Sequence, residues 1–391
     1  MIDLSDRLLA DRPLAAVTLD EPVPLADVPT PALLLDEDAL MRNIALMAKF
    51  LGAKGKGFRP HAKTHKCPEV AARQLAAGAV GVCAAKVSEA IVLARAGITP
   101  ILITSPVTTR QKADLVTALI ARGCRVQLVV DSMIGAAVLD ASARARGVSV
   151  EVLIDLDPRL GRTGVRELVD AVALADWIAA NRRSGGALEL VGVQHYAGQV
   201  MHIAGHAARR DKSLMCWRSA VAICQALRDA GHPLRIVTGC GTGTYDIDCD
   251  VPEVTDLQVG SYVFMDQQYI DVGGRDGDRL DDFEVSLTVA TTAISQPVAG
   301  MVTVDCGFKG FASESIPPVA IDLPGARYRF AGDEHGMLLL ADGAQEPLLG
   351  RRITFVTPHC DPTVNLYDYY WVHRAGFVHA LWPISARGCS W

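Results

Sequence analysis

Five basic, nitrogen-bearing side chains, Arg59, His61, Lys63, His65 and Lys66, crowd the run FRPHAKTHKCP from Phe58 to Pro68. In extended backbone alternate residues share a face, so His61, Lys63 and His65 are expected to point together. A lysine flanked by other cations has a destabilised ammonium. The resulting fall in pKa makes its neutral amine available for Schiff-base chemistry. The same run also reads as a solvated basic strand end, a patch for phosphate or nucleic acid. The rest of the chain has to decide between the two.

Two further clusters carry chemistry. Gly239-Cys-Gly-Thr-Gly-Thr244 suits an anion, because glycines let backbone N–H groups approach closely and the threonine hydroxyls add donors. It has neither the lysine of a P-loop nor the spacing of a dinucleotide fingerprint, and a plain Gly-rich turn is the other reading. Thr357-Pro-His-Cys-Asp-Pro-Thr363 offers His359, Cys360 and Asp361 as metal ligands. If the segment is extended, His359 and Asp361 share a face and Cys360 points away, which makes an N/O pair for Mn, Mg or Zn. Two ligands leave an open site where a substrate hydroxyl could coordinate; the alternative is a structural turn around a buried cysteine. A Schiff-base lysine together with a phosphate cradle points to pyridoxal phosphate.

Short apolar runs separated by amphipathic stretches must position these groups. After a strand at 30–36 and a helix from Glu37 to about Leu51, the runs fall at 59–65, 81–87, 101–107, 125–131, 150–157, 190–198, 235–241 and 257–266. Eight strands alternating with helices predict a closed (β/α)8 TIM barrel, in which chemistry sits at the C-terminal strand ends. Lys63 ends the first run, Arg159 and Arg162 follow the fifth, and His195, Tyr196 and His202 follow the sixth. The Gly-rich loop follows the seventh, and Tyr262 lies in the eighth. From 284 onward, alternating runs between Gly, Pro and Asp turns predict an all-β domain. The expected division is an N-terminal arm over 1–28 packing with the β-domain, a barrel over 29–275, and a β-strand domain over 276–391 that carries the metal motif.

Half of the 391 residues are hydrophobic, so a sizeable core is expected. The net charge of −6 without a long basic run argues against nucleic acid as a partner. No apolar run reaches membrane length and no secretion signal opens the chain, so no membrane association is expected. The ten cysteines form no CxxC pair, which fits reduced thiols in a cytoplasm.

Taken together, these residues resemble the fold-type III pyridoxal-phosphate enzymes, the alanine-racemase-like barrels. Within them the sequence is similar to the branch holding D-threonine aldolase, D-3-hydroxyaspartate aldolase and D-serine dehydratase. The likeness is carried by Arg59-Pro-His-Ala-Lys-Thr-His-Lys66, Gly81-Val-Cys-Ala-Ala-Lys86, Tyr196 with His202, Gly239-Cys-Gly-Thr-Gly243, Gly260-Ser-Tyr262, Asp333-Glu-His-Gly336 and His359-Cys-Asp361. It implies that Lys63 holds pyridoxal phosphate and that Arg162 faces the pyridine nitrogen and keeps it unprotonated. Gly241, Thr242 and Gly243 would hold the phosphate, Tyr196 and Tyr262 would line the cofactor, and His202 would act as base.

The same resemblance implies that His359 and Asp361 hold a divalent metal, and that the β-domain of one chain closes the barrel mouth of the other in a homodimer. The implied reaction cleaves a D-3-hydroxy amino acid of the D-threonine type to glycine and an aldehyde. The alternatives are a D-3-hydroxyaspartate aldolase that releases glyoxylate and a D-serine or 3-hydroxyaspartate dehydratase. The D-serine dehydratase branch carries a His-x-Cys pair, whereas the second ligand position here is Asp361. A non-catalytic pyridoxal-phosphate carrier would lack residues 284–391. Glyoxylate release would need an additional cation. His206, His232, His373 and His379 read as packing or surface residues, and His61, His65, His335 and Arg387 have no assigned role.

Overall fold

The computed structural model describes residues 12–312, 316–341 and 348–391; the first eleven residues of the expected arm lie outside these. Eight strands pair in parallel, in the order Gly57–Phe58, Asp256–Leu257, Ile236–Gly239, Leu188–His195, Val150–Leu156, Val126–Val130, Ile101–Ile103 and Val82–Ala84. The sheet closes on itself. Beyond Phe58 the chain bonds on one side through His61 N to Val259 O at 2.9 Å, and on the other through Cys83 N to Pro60 O at 2.8 Å. Alternation along the strands divides the core. Outward residues such as Ile101, Ile103, Leu128, Val152 and Ile154 pack in the main hydrophobic cluster with helix residues such as Val116 and Leu139, whereas Cys83, Leu102, Val129, Leu153 and Val191 form a separate cluster.

Local signals fix where the helices start and stop. Asp36 caps the helix Glu37–Ala53 by accepting from Ala39 N at 3.0 Å, and Ser132 caps Met133–Arg146 through Gly135 N at 3.2 Å. The second of these ends at Gly147, whose φ of +69° suits a residue without Cβ. No helix among the described residues is long and apolar enough to cross a membrane.

Two expected strands change character. The run 59–65 leaves the sheet after His61 and turns, held by Thr64 N to His61 O at 3.3 Å and Lys66 N to Ala62 O at 2.7 Å. His61, Lys63 and His65 therefore do not line one extended face. The run 257–266 is regular strand only over Asp256–Leu257, bonds to its neighbours as far as Val259, and then forms a 3-10 turn at Ser261–Val263, so Tyr262 lies beyond the strand.

A ten-stranded sheet forms the second layer. Leu287–Val298 is its longest strand, and Val17–Pro24 of the arm pairs antiparallel with Phe377–Pro383. Ala32–Asp36, inside the span expected for the barrel though not one of its eight runs, belongs to this sheet, between Leu287–Val298 and Tyr369–Arg374. The segment carrying His359 is tied to the end of the barrel by Gln267 N to Thr357 O at 3.0 Å and Gln268 N to Pro358 O at 3.1 Å.

One buried side chain anchors the barrel rim. Arg209, fully buried, donates to Gly243 O at 2.6 Å, Ile203 O at 2.8 Å, Val272 O at 2.8 Å and Gly273 O at 2.6 Å. It ties the Gly-rich loop, the loop after His202 and the chain leaving the barrel to one helix, His206–Asp229. Each carbonyl stripped of its donor in a dry site costs about 1–3 kcal/mol. Arg209→Leu is accordingly expected to lose at least about 3 kcal/mol of stability, read from urea denaturation. An unchanged midpoint would show that water replaces the guanidinium.

Candidate active site

A cavity of about 560 Å³ opens where the barrel strands end, with Lys63, Arg162, Tyr196, Gly241, Thr242 and Tyr269 among its walls. That size lies within the range of cofactor and small-molecule sites.

The basic run at 59–66 is largely neutralised. Arg59 pairs with Asp256 at 3.1 Å inside the barrel, and Lys66 pairs with the buried Glu89. Burial, then the charge of Lys63, holds the His61 imidazole well below its ordinary pKa; its Nε2 sits 3.1 Å from Thr104 Oγ1. Burial pushes His65 down to about 4, and its Nδ1 accepts from Cys67 N at 3.1 Å. Of this run, Lys63 is left as the charged group on the cavity wall, and its Nζ meets Asp361 Oδ2 directly. Burial opposes charge on Lys63, but the Asp361 carboxylate outweighs it and holds the ammonium above its ordinary pKa. The fall expected from neighbouring cations is thus reversed, because the decisive neighbour is an anion far away in sequence.

The Gly-rich loop is shaped by close approach. A Cβ on Gly239 would lie 1.8 Å from His195 O, and one on Gly243 would lie 2.2 Å from Met201 O. Gly241 and Thr242 line the cavity, and Thr242 Oγ1 accepts from Tyr262 N at 2.9 Å. Gly243 turns its carbonyl to Arg209 instead. Tyr262 does not line the cavity: its ring is fully buried against Phe283 and its hydroxyl accepts from Gln74 at 3.1 Å. The Arg162 guanidinium stands 5.2 Å from the centre of the Tyr196 ring. Arg159 pairs with Glu167 at 3.9 Å, and buried His195 packs edge-on against Trp217 at 4.8 Å, so neither belongs to the cavity wall.

The metal motif is not extended. His359 precedes a short helix, Cys360–Val364, in which Asp361 sits. His359 Nδ1 bonds to Asp266 Oδ2 at 2.9 Å, and Cys360 N donates to the same oxygen at 2.8 Å. Asp266 Oδ1 accepts from Tyr269 N at 2.9 Å. This fully buried carboxylate, which no local spacing marks, fixes the His359 ring and leaves Nε2 as the nitrogen for an ion, the usual arrangement of a metal-ligating histidine. Burial opposes charge on His359, but the bond to Asp266 together with the Asp361 and Asp266 carboxylates outweighs it and raises the His359 pKa.

Asp266, His359 and Cys360 offer donor atoms within 4.8 Å of one another. Burial pushes the Cys360 thiol well above its ordinary pKa, and Asp266 Oδ2 is already bonded to His359; Asp361, the expected partner of His359, lies outside this cluster and meets Lys63 instead. His202 lies alongside, its ring 4.7 Å from that of Tyr269 and 6.3 Å from that of His359. Burial, then His359, lowers the His202 pKa, so its imidazole is neutral near pH 7.

The remaining histidines stand apart from the cavity. His206 pairs with Asp246 at 2.9 Å, His232 with Asp176 at 2.7 Å and His379 with Glu37 at 3.0 Å, while His373 is partly buried in its strand. His335 lies in an exposed turn, and Arg387 pairs with Asp368 at 2.6 Å.

The alanine racemase N-terminal domain family matches residues 35–268, and a putative serine dehydratase domain matches residues 286–373. The chain is 38% identical to a D-threonine aldolase of an Arthrobacter species over 94% of this chain and 95% of that one. It is 34% identical to a 3-hydroxy-D-aspartate aldolase of Paracoccus denitrificans over 93% of each. The solved D-threonine aldolase of Filomicrobium marinum superposes with a TM-score of 0.90 at 37% identity, covering 96% of this chain and all of that one. Solved variants of D-threo-3-hydroxyaspartate dehydratase, 29% identical with TM-scores of 0.80 and 0.82, cover 92% and 93% of this chain and 98% and 96% of theirs. One replaces a histidine; the other, described as metal-free, replaces a cysteine two positions further on. By domain content, sequence and fold, the chain belongs to the alanine-racemase-like pyridoxal-phosphate enzymes, in the branch that holds D-threonine aldolase, 3-hydroxy-D-aspartate aldolase and D-threo-3-hydroxyaspartate dehydratase.

Proposed function

We propose that this enzyme is a lyase that cleaves D-3-hydroxy amino acids of the D-threonine type to glycine and an aldehyde, with pyridoxal phosphate and a divalent ion such as Mn, Mg or Zn. The observation that carries this is the convergence of Lys63 and Asp361 at one cavity: the candidate Schiff-base lysine and the candidate metal motif, 298 positions apart, meet directly. When bound, the cofactor supplies an electron sink for carbon–carbon cleavage beside an amine, and the ion lowers the pKa of a coordinated hydroxyl.

The chain's own residues take the following roles. Lys63 Nζ is the amine that binds the cofactor's aldehyde. Gly241 and Thr242 face its phosphate, with Gly243 shaping the loop behind them. Tyr196 and Arg162, both on the cavity wall, would hold the cofactor's ring, and a guanidinium beside its ring nitrogen would keep that nitrogen unprotonated. Tyr262 supports the site from behind, through its backbone bond to Thr242. His359 Nε2 and the Asp361 carboxylate hold the ion. Neutral His202, packed on the cavity residue Tyr269, accepts the proton of the substrate's 3-hydroxyl. The functional unit is a homodimer with active sites at the interface. A cytoplasmic location accords with ten free cysteines.

The dehydratase variants support the metal assignment, because their replaced histidine and cysteine have the spacing of His359 and Asp361. The carboxylate here, in place of a thiol, favours the aldolase over the dehydratase. One observation favours 3-hydroxyaspartate as a second substrate. Lys86 lines the cavity with no carboxylate within ion-pair distance among the described residues, which suits a substrate's additional carboxylate.

Incubation with D-threonine, D-3-hydroxyaspartate and D-serine, with and without Mn²⁺, tests the reading. Glycine and acetaldehyde are expected from D-threonine only when the metal is present. A keto acid with ammonia as the main product would establish the dehydratase instead.

A further inference from the structure

We propose that Lys63 and the divalent ion compete for one carboxylate, Asp361, so that cofactor and metal bind this protein cooperatively. The inference rests on the reading of His359 and Asp361 as the metal pair. Its geometry is simple. Lys63 Nζ occupies Asp361 Oδ2, while the other oxygen is approached by Ser261 Oγ at 3.5 Å and Cys360 Sγ at 3.5 Å, neither of them a cation. The Asp361 side chain is 12% exposed, so the carboxylate itself is largely shielded, and Lys63, 41% exposed, reaches it from the open side of the cavity. An ammonium and a divalent ion at one carboxylate repel each other, and either must displace the other or bind weakly.

Cofactor capture removes one competitor. The lysine nitrogen begins with three hydrogens. On condensing with the cofactor's aldehyde, two of them leave with the aldehyde oxygen as water, and a carbon–nitrogen double bond forms. The nitrogen then carries at most one hydrogen and is fixed to the cofactor, and it no longer spans to Asp361 as a three-donor ammonium. Asp361 Oδ2 becomes free for the ion. Linkage makes the effect reciprocal: an ion on Asp361 releases the Lys63 amine and favours cofactor capture by the same factor. His359 contributes to the metal in either state, because Asp266 fixes its ring independently of Lys63.

Mn²⁺ affinity, measured by calorimetric titration in the absence of substrate, tests the coupling without reading catalysis. Three chelator-treated forms are compared: the cofactor-loaded wild type, the cofactor-free wild type and the cofactor-free Lys63→Ala variant. Cofactor removal is expected to weaken Mn²⁺ binding on the order of tenfold or more in the wild type. Lys63→Ala without cofactor should bind as tightly as the loaded wild type, because its carboxylate has no internal rival. Lys63→Met, which keeps the bulk of the side chain, serves if the alanine variant is unstable. Equal affinity in loaded and cofactor-free wild type overturns the competition while leaving the metal site standing. No Mn²⁺ bound by the loaded wild type would overturn the metal reading itself, and the competition with it.

Discussion

Lys63→Ala is expected to abolish both colour and cleavage. Without the amine there is no covalent attachment point, and a single essential covalent group is worth on the order of 10³-fold or more in rate. The wild type should be yellow, and borohydride reduction should fix a pyridoxyl group on the peptide containing Lys63. The structure also identifies the competitors. Lys66 is buried against Glu89, with no free amine to offer. Lys86 lines the same cavity and is the real rival. Label on Lys86, with Lys63→Ala still yellow, would overturn the assignment and leave the Lys63–Asp361 pair as a structural contact. Because that pair keeps Lys63 charged, cofactor uptake by cofactor-free enzyme should be slow near neutral pH and accelerate as pH rises toward the lysine's raised pKa.

The barrel was legible because parallel strands covered on both faces read as continuous apolar runs, and six of the eight stand where those runs fall. The two that shortened show what periodicity misses. The run at 59–65 alternates like a strand, yet its turn bonds pull Lys63 out of the sheet toward a partner in the second domain. The run at 257–266 is apolar because Tyr262, Val263, Phe264 and Met265 pack in the core from a turn, and short apolar runs look alike in either setting. Ala32–Asp36 was recognisable as a strand, but its sheet depends on pairing with residues hundreds of positions away.

At the site, residue types were readable and their couplings were not. Lys63, Arg162, Tyr196, Gly241 and Thr242 share one cavity because strand ends of a barrel converge, a property of the fold class. Asp266 left no local signal: its role as the anchor of His359 rests on contacts across 93 positions, and in the structure its other oxygen caps Gln267–Ile270. The direction of the Lys63 pKa was misread for the same reason, since the sequence neighbours are cations and the spatial neighbour is an anion.

Asp361→Ala separates the metal's task from the cofactor's. The variant is expected to stay yellow and to bind D-amino acids, since the cavity wall at Gly241 and Thr242 does not involve the carboxylate and the Lys63 amine remains, released from its partner. Cleavage should fall on the order of 10² to 10³-fold, because the lost group acts on charge that develops only as the bond breaks. Chelation of the wild type should have the same effect and be reversed by Mn²⁺, while the variant should recover little, one histidine being a poor site. The variant also tests the electrostatics of the pair. With Asp361 gone, burial acts on Lys63 without its opposing anion, so the lysine pKa falls and more of the amine is neutral. Cofactor uptake by Asp361→Ala near pH 7 should therefore match or exceed that of the metal-free wild type. Uptake slower than wild type would show that Asp361 helps to position Lys63 rather than restrain it. Undiminished D-threonine cleavage by the chelated wild type would return the His359–Asp361 segment to a structural role and leave His202 alone to handle the hydroxyl proton.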